Sequence, residues 1–192
     1  MFLNWLTLKP SNTTPIKVQE ANAQDDMTIK IVRDCAGQIP KNRRLMGLDL
    51  GTKTIGVAIS DAVQSIATPI TTIKRTKFTK DIEQLKPLID EFDVGGYIIG
   101  LPLNMDGSEG ARCDSSRSFA DEIRKHPEIF GQNPFVALQD ERLSTRSVDE
   151  FVESRVDMRK NSKRSAKMSG LTDQLAAQAI LQSALDIIRC SE

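Results

Sequence analysis

Apolar positions in this chain fall first into short runs and later into a mixture of runs and helical spacings. RLMGLDL (44–50) is a short apolar run ending in a carboxylate, GTK makes a turn, and TIGVAIS (54–60) is a second run. The pair reads as a β-hairpin. SIATPITTIKR (65–75) is β-branched and predicts a third strand, with Pro69 pointing to a sheet edge or a bulge. In FTKDIEQLKPLIDEF (78–92), Phe78, Ile82, Leu85, Leu88, Ile89 and Phe92 recur at helical spacing. Pro87 should kink or break that helix, since a mid-helix proline costs about 3 kcal/mol. GGYIIGLPL (95–103) predicts a buried strand running into the polar loop NMDGSEG, SSRSFADEIRK (115–125) a helix, and PFVALQD (134–140) another strand. Ser144 caps a further helix through Val148, Phe151 and Val152, and a last helix runs from about Leu171 to Ile188.

Strands joined through helices imply parallel pairings, and the opening hairpins imply that the sheet is mixed. The expected fold class is α/β: a mixed five-stranded central sheet with helices on both faces. Residues 1–42 carry NTT and QEANAQDD with no clear period, and read as a weakly ordered N-terminal extension before a single domain over 43–192. Met27 is a candidate alternative start.

Composition narrows the setting. Apolar residues are 39% and charged residues 27% of the 192, as in a soluble globular protein. No apolar run approaches the roughly 20 residues that cross a bilayer, so no membrane partner is expected. MFLNWLTLKP lacks the layout of a secretory signal. Cys35, Cys113 and Cys190 are far apart and in no metal-like spacing, which suits free thiols in the reducing cytoplasm. The net charge of zero argues against non-specific coating of nucleic acid. One local basic stretch remains: RVDMRKNSKRSAK (155–167) holds six Lys or Arg against one Asp. Lys160, Lys163 and Arg164 are its candidate phosphate grips, the alternative being a solvated loop. His126, the single histidine, sits at a helix end before Pro127 and reads as a surface or capping residue.

Three carboxylates end three elements. Asp49 closes the first strand, Glu141 follows Asp140 after the last strand, and Asp173 falls in the first turn of the final helix, in line with Ala176, Ile180, Ala184 and Ile187. Open α/β sheets bind ligands beyond the carboxyl ends of their strands, where these acids can converge. Two such charges 4 Å apart repel by about 4 kcal/mol at an effective dielectric of 20. Lys53 is the one basic neighbour of Asp49 in sequence. A hard divalent cation, Mg²⁺ or Mn²⁺, would relieve the repulsion and suit phosphodiester hydrolysis. Spacing leaves plainer readings open: Asp49 as a turn residue, Glu141 as a surface partner of Arg142, Asp173 as a helix-dipole partner.

The motifs say more. GLDLGTKTIGVAISD (47–61), GLPLNMDGSEG (100–110), DERLST (140–145) and TDQLAAQAILQ (172–182) occur in the order of the YqgF family, also called RuvX, which this chain resembles over about residues 44–190. The resemblance implies a ribonuclease H-like fold. It places the family's acids on Asp49, Glu141 and Asp173, with Asp140 as the alternative second acid. It implies a metal-dependent nuclease acting in 5′-end maturation of pre-16S ribosomal RNA, or, alternatively, on branched DNA as a Holliday junction resolvase. Around that site, Gly47, Gly51 and Gly56 would permit close backbone approach or unusual dihedrals. Lys53, Asn104 and Arg142 are further candidates for substrate contact, although Asn104 and Asp106 also suit a self-bonded turn.

Two rivals come from other classes. The Asp-x-Gly-Thr turn at 49–52 also looks like the phosphate loop of actin-like sugar kinases, but one domain with no second nucleotide motif implies no nucleotide cofactor. A non-catalytic RNA-binding module that kept the fold would not need the acidic trio. Oligomeric state is not readable.

Overall fold

The computed structural model describes residues 29–141 and 162–191. Five strands form one sheet in the order β3-β2-β1-β4-β5. β1 (Arg44–Leu50) and β2 (Thr54–Ser60) form the predicted hairpin, with Asp49 opposite Gly56. β3 (Ala67–Lys74) pairs antiparallel with β2 at the sheet edge, and its register shifts where Pro69 meets Ala58. Both readings of Pro69, edge and bulge, hold together. β4 (Val94–Leu101) and β5 (Phe135–Asp140) run parallel to β1. The sheet is therefore mixed, as expected.

Period-two alternation sends side chains to two different layers. Met46, Leu48, Tyr97, Ile99 and Leu138 pack against α2 (Phe78–Phe92), α3 (Ala111–Arg124) and the short α4 (Pro127–Phe130). Leu45, Ala58, Ile98 and Ala137 face a long helix, α5 (Ser162–Cys190). α2 runs uninterrupted past Pro87, contrary to the expected break; the proline lies on the exposed side, where a solvent-facing backbone can bow outward. α3 starts four residues earlier than its periodicity suggested.

Two expectations need correction. The weakly ordered extension does not reach residue 42: Ile29, Val32, Cys35 and Ile39 are buried. Ile31 bridges to Leu138, whose N–H donates to the Lys30 carbonyl at 3.0 Å, and α1 (Val32–Cys35) packs beside α5. This segment covers the free edge of β5, and covering an edge is one way a sheet avoids pairing with other chains. Its period was hidden because each contact comes from a different local geometry. The final helix begins at Ser162, not near Leu171. Asp173 consequently lies well inside α5 and cannot serve as an N-terminal dipole partner. The predicted helix after Ser144 lies outside the described residues.

α5 is docked by its glutamines as well as by its apolar stripe. Gln178 donates to the Ala67 carbonyl and Gln182 accepts from the Ala67 N–H, both at 2.9 Å, while Gln139 on β5 donates to the Ser183 hydroxyl at 3.1 Å. His126 holds the N-cap position of α4 without a side-chain capping bond, pairs with Glu128 at 2.8 Å and lies against Phe78, in keeping with a surface role. The three cysteines are free thiols.

Candidate active site

Alternation decides which strand residues can meet. Asp49 shares the face of Leu45 and Gly47, towards α5. On β5 the same rule puts Ala137, Gln139 and Glu141 on the α5 side and Asp140 with Val136 and Leu138 on the other. Glu141 continues the β5 ladder, since its N–H donates to the Leu101 carbonyl at 3.3 Å. Asp49 and Glu141 thus stand at the carboxyl ends of parallel strands on one face, with Asp173 approaching from α5.

Missing side chains make that approach possible. A methyl group on Gly56 would collide with the backbone carbonyl of Asp173, and one on Gly100 with the Glu141 carboxylate. On Gly47 it would lie 2.6 Å from Leu181 Cβ and 3.0 Å from the Ala177 carbonyl. None of the three glycines has a positive φ. They are needed for space, not for unusual dihedrals, which decides between the two roles the sequence left open for Gly47 and Gly56. Gly51 is different: a methyl group there would meet only the hairpin turn itself, 3.0 Å from the Thr54 carbonyl.

The acids feel one another. Burial pushes the Asp49 carboxyl up to about 6, the charge of Asp173 adds to the rise, and Arg112 opposes it. Glu141 is pushed up to about 7 by burial first and by Asp49 second, with Arg112 opposing and Asp140 adding a smaller rise. One oxygen of Asp173, Oδ2, is buried without a hydrogen-bond partner. Such an atom costs free energy unless something else satisfies it. Among the described residues, no group of three or more His, Cys, Asp or Glu is arranged to hold a metal ion. The acids converge and are electrostatically coupled, but they do not form a finished coordination shell.

The other candidates separate. Lys53 is exposed in the β1–β2 turn, where its carbonyl accepts the Arg75 N–H at 2.9 Å. The cation acting on the acids is instead Arg112, from the first turn of α3. Sequence reading missed it because that helix was started too late. It also missed Arg75, which donates to the Gly51 carbonyl at 2.8 Å and to Ser115 at 2.7 Å, tying the turn after Asp49 to α3. Asn104 and Asp106 behave as a self-bonded turn: Asn104 donates to Ser108 Oγ at 2.9 Å, and Asp106 accepts from the Ser108 N–H at 2.8 Å. Arg142 and Lys160 lie outside the described residues. Lys163 and Arg164 belong to the α5 backbone, their side chains outside those described.

Comparison with known proteins agrees with the motifs. The model of the RuvX family, described as Holliday junction resolvase, matches residues 43–187. A relative from Rhodospirillum centenum, named "Putative pre-16S rRNA nuclease", is 44% identical over 163 residues, covering 85% of this chain and 84% of its own length. One of the same name from Beijerinckia indica is 47% identical over 144 residues, covering 75% and 81%. Among solved structures, the Fowlpox virus resolvase bound to Holliday junction DNA aligns with a TM-score of 0.44 at 15% identity, over 74% of this chain and 97% of that one. RuvC of T. thermophilus aligns at 0.41 and 11%, over 72% and 91%. These structural likenesses are too distant to carry residue roles. The family match, the four motif blocks in order and the converging strand-end acids lead to one conclusion: this chain belongs to the RuvX family.

Proposed function

We propose that the chain is a nuclease that hydrolyses phosphodiester bonds, with Asp49, Glu141 and Asp173 as its catalytic acids and a ribosomal RNA precursor as its substrate. The observation that carries this reading is the buried, unpartnered Asp173 Oδ2 beside a second acid, Asp49, which both burial and Asp173 hold up to about 6. Buried acids with perturbed titration, clustered at the ends of strands, are the pattern that binding and catalytic sites favour. The donors are all oxygens, the set that Mg²⁺ or Mn²⁺ prefers, so their chemistry suits a divalent cation that would draw them together. When bound, the cation supplies positive charge that polarises a phosphodiester and favours deprotonation of water.

The chain's own part is to fix the acids on rigid elements and to keep the site partly desolvated. Asp49 is anchored by the β1 ladder and Glu141 by its bond to Leu101, while α5 holds Asp173 over Gly56. Asp140, on the other face by alternation, is the weaker candidate for the second acid. Lys160, Lys163 and Arg164 supply the phosphate grip in this reading, with Lys53 and Arg142 as further substrate contacts, while Asn104 shapes its own turn. Among the described residues no helix is long and apolar enough to cross a membrane, and a ribosomal precursor places the activity in the cytoplasm.

The substrate follows the names of the relatives at 44–47% identity; the description of the matching family favours branched DNA as the second reading. Incubating the purified protein with pre-16S RNA and with a four-way DNA junction, with and without Mn²⁺, separates them. Mn²⁺-dependent cuts in the RNA that vanish in Asp49→Asn are expected. Wild-type rates in Asp49→Asn would end the assignment, and cuts confined to the junction would move it to the second reading.

A further inference from the structure

We propose that Arg112 is a phosphate-binding residue for the scissile position of the substrate strand, an inference that rests on the acids being the hydrolytic centre. The loop leaving β4 carries the chain to the N-terminus of α3 at the carboxyl ends of the parallel strands. Arg112 therefore reaches that end of the sheet from the α3 layer, while Asp49 and Glu141 meet it from the α5 layer. A strand lying across the sheet end would have acids on one side and a guanidinium on the other.

Its lack of partners marks it out from Arg43, Arg75 and Arg117. Arg43 pairs with Asp93, Arg75 is held by Gly51 and Ser115, and Arg117, on the same helix, is forked onto Glu109. Arg112 is exposed and makes no hydrogen bond or ion pair with any described residue. Yet it is near enough to both Asp49 and Glu141 to act on each. It acts on both carboxylates without being captured by either.

Chemistry then names the ligand class. An arginine fork matches two phosphate oxygens bidentately, which a lysine cannot do. A phosphodiester entering a site with three acids meets repulsion, and a fixed cation at the rim offsets it. The first turn of α3 adds the positive end of a helix dipole in the same direction. Arg75 pins this helix to the turn after Asp49, so the guanidinium is carried on a rigid element.

The test is equilibrium binding of a short single-stranded oligoribonucleotide in EDTA, across a salt series, by the full chain. Arg112→Met should bind about 10-fold more weakly, and its salt slope should fall by about 0.7, the value for one phosphate on a single strand. Arg112→Lys should restore the slope but not the full affinity. Arg117→Met, which removes an already paired charge from the same helix, should keep the wild-type slope. An unchanged slope in Arg112→Met, an equal loss in Arg117→Met, or no binding by the wild type overturns the inference. Reduced binding by Arg112→Met together with no cleavage by the wild type in Mn²⁺ would keep Arg112 as a phosphate contact and overturn both its scissile placement and the nuclease reading. Full binding by Arg112→Met with normal cleavage would overturn the inference and keep the nuclease reading.

Discussion

The two faces of the sheet solve different problems. Towards α2, α3 and α4 the sheet presents large side chains such as Met46, Leu48, Tyr97 and Ile99, all fully buried. Towards α5 it presents Gly47, Gly56, Gly100, Ala58 and Ala137, met by Ala177 and Ala184. The first face removes much apolar area from water, at roughly 25 cal/mol per Å². The second removes less and lets a helix backbone come close. The difference teaches that stability and site assembly are carried by separate layers. Large residues in place of Gly47, Gly56 and Gly100, unlike Leu45 and Ile98 on the same face, would hold α5 away and keep the acids apart.

The largest expected effect tests that division directly. Gly56→Ala drives a methyl group into the Asp173 carbonyl. Because that contact is backbone, α5 must shift, at a cost of about 1–3 kcal/mol or more. Leu48→Ala on the other face should cost about 2–5 kcal/mol. Both should lower the melting temperature. Cleavage per folded molecule should fall to background in Gly56→Ala and stay near wild type in Leu48→Ala, measured by rate against folded fraction from thermal melts. Equal activity per folded molecule in the two variants would show that the helix spacing does not assemble the site.

A smaller effect should come from the acids themselves. Asp49 at about 6 and Glu141 at about 7 both lie above ordinary carboxyl values in the folded chain. A raised carboxyl pKa means that folding favours the neutral form. That contribution is complete below about pH 4 and is lost as pH rises through about 4 to 7. In EDTA, stability against urea should therefore fall between pH 5 and pH 8, by on the order of 2 kcal/mol once partial solvent screening is allowed for. Asp49→Asn should be more stable than wild type at pH 8 and should flatten the fall. Mn²⁺ at 100 times its dissociation constant should add about 2.7 kcal/mol to the wild type and much less to Asp49→Asn. A wild type that is more stable at pH 8 than at pH 5 in EDTA would contradict the coupling.

Legibility followed the same division. The strands, their order of appearance and the hairpin could be read because a single physical rule, period-two burial, governs them. Asp49 and Glu141 were readable as strand-end acids, and alternation would have separated Glu141 from Asp140 had it been applied past the end of β5. Asp173 was placed correctly on the buried stripe but wrongly in the first turn. The polar, basic residues from Ser162 onward carry no apolar period, yet they continue the helix. Arg112 and Arg75 left no signal, because Arg75 matters through contacts that tie α3 to the turn after Asp49, and Arg112 through its charge beside acids distant in sequence. The packing of Ile29 to Ile39 was hidden for the same reason.

The smallest predicted effect asks whether the apolar face is as free of polar cost as the comparison requires. Tyr97 is fully buried there, its ring edge-on to Phe130 at 5.1 Å, and its hydroxyl has no hydrogen-bond partner. Burial pushes its pKa upward, which keeps it neutral across the working range. A buried hydroxyl without a partner costs about 1–3 kcal/mol, whereas the ring itself stabilises. Tyr97→Phe keeps the ring and removes the oxygen, so it should leave cleavage unchanged and raise stability by up to about 1 kcal/mol in urea denaturation. Since Tyr97 lies on the opposite face from the acids, a change in cleavage at constant stability would mean that the two layers are coupled through β4. A clear loss of stability would mean that the hydroxyl is satisfied, and that this face also depends on a polar contact.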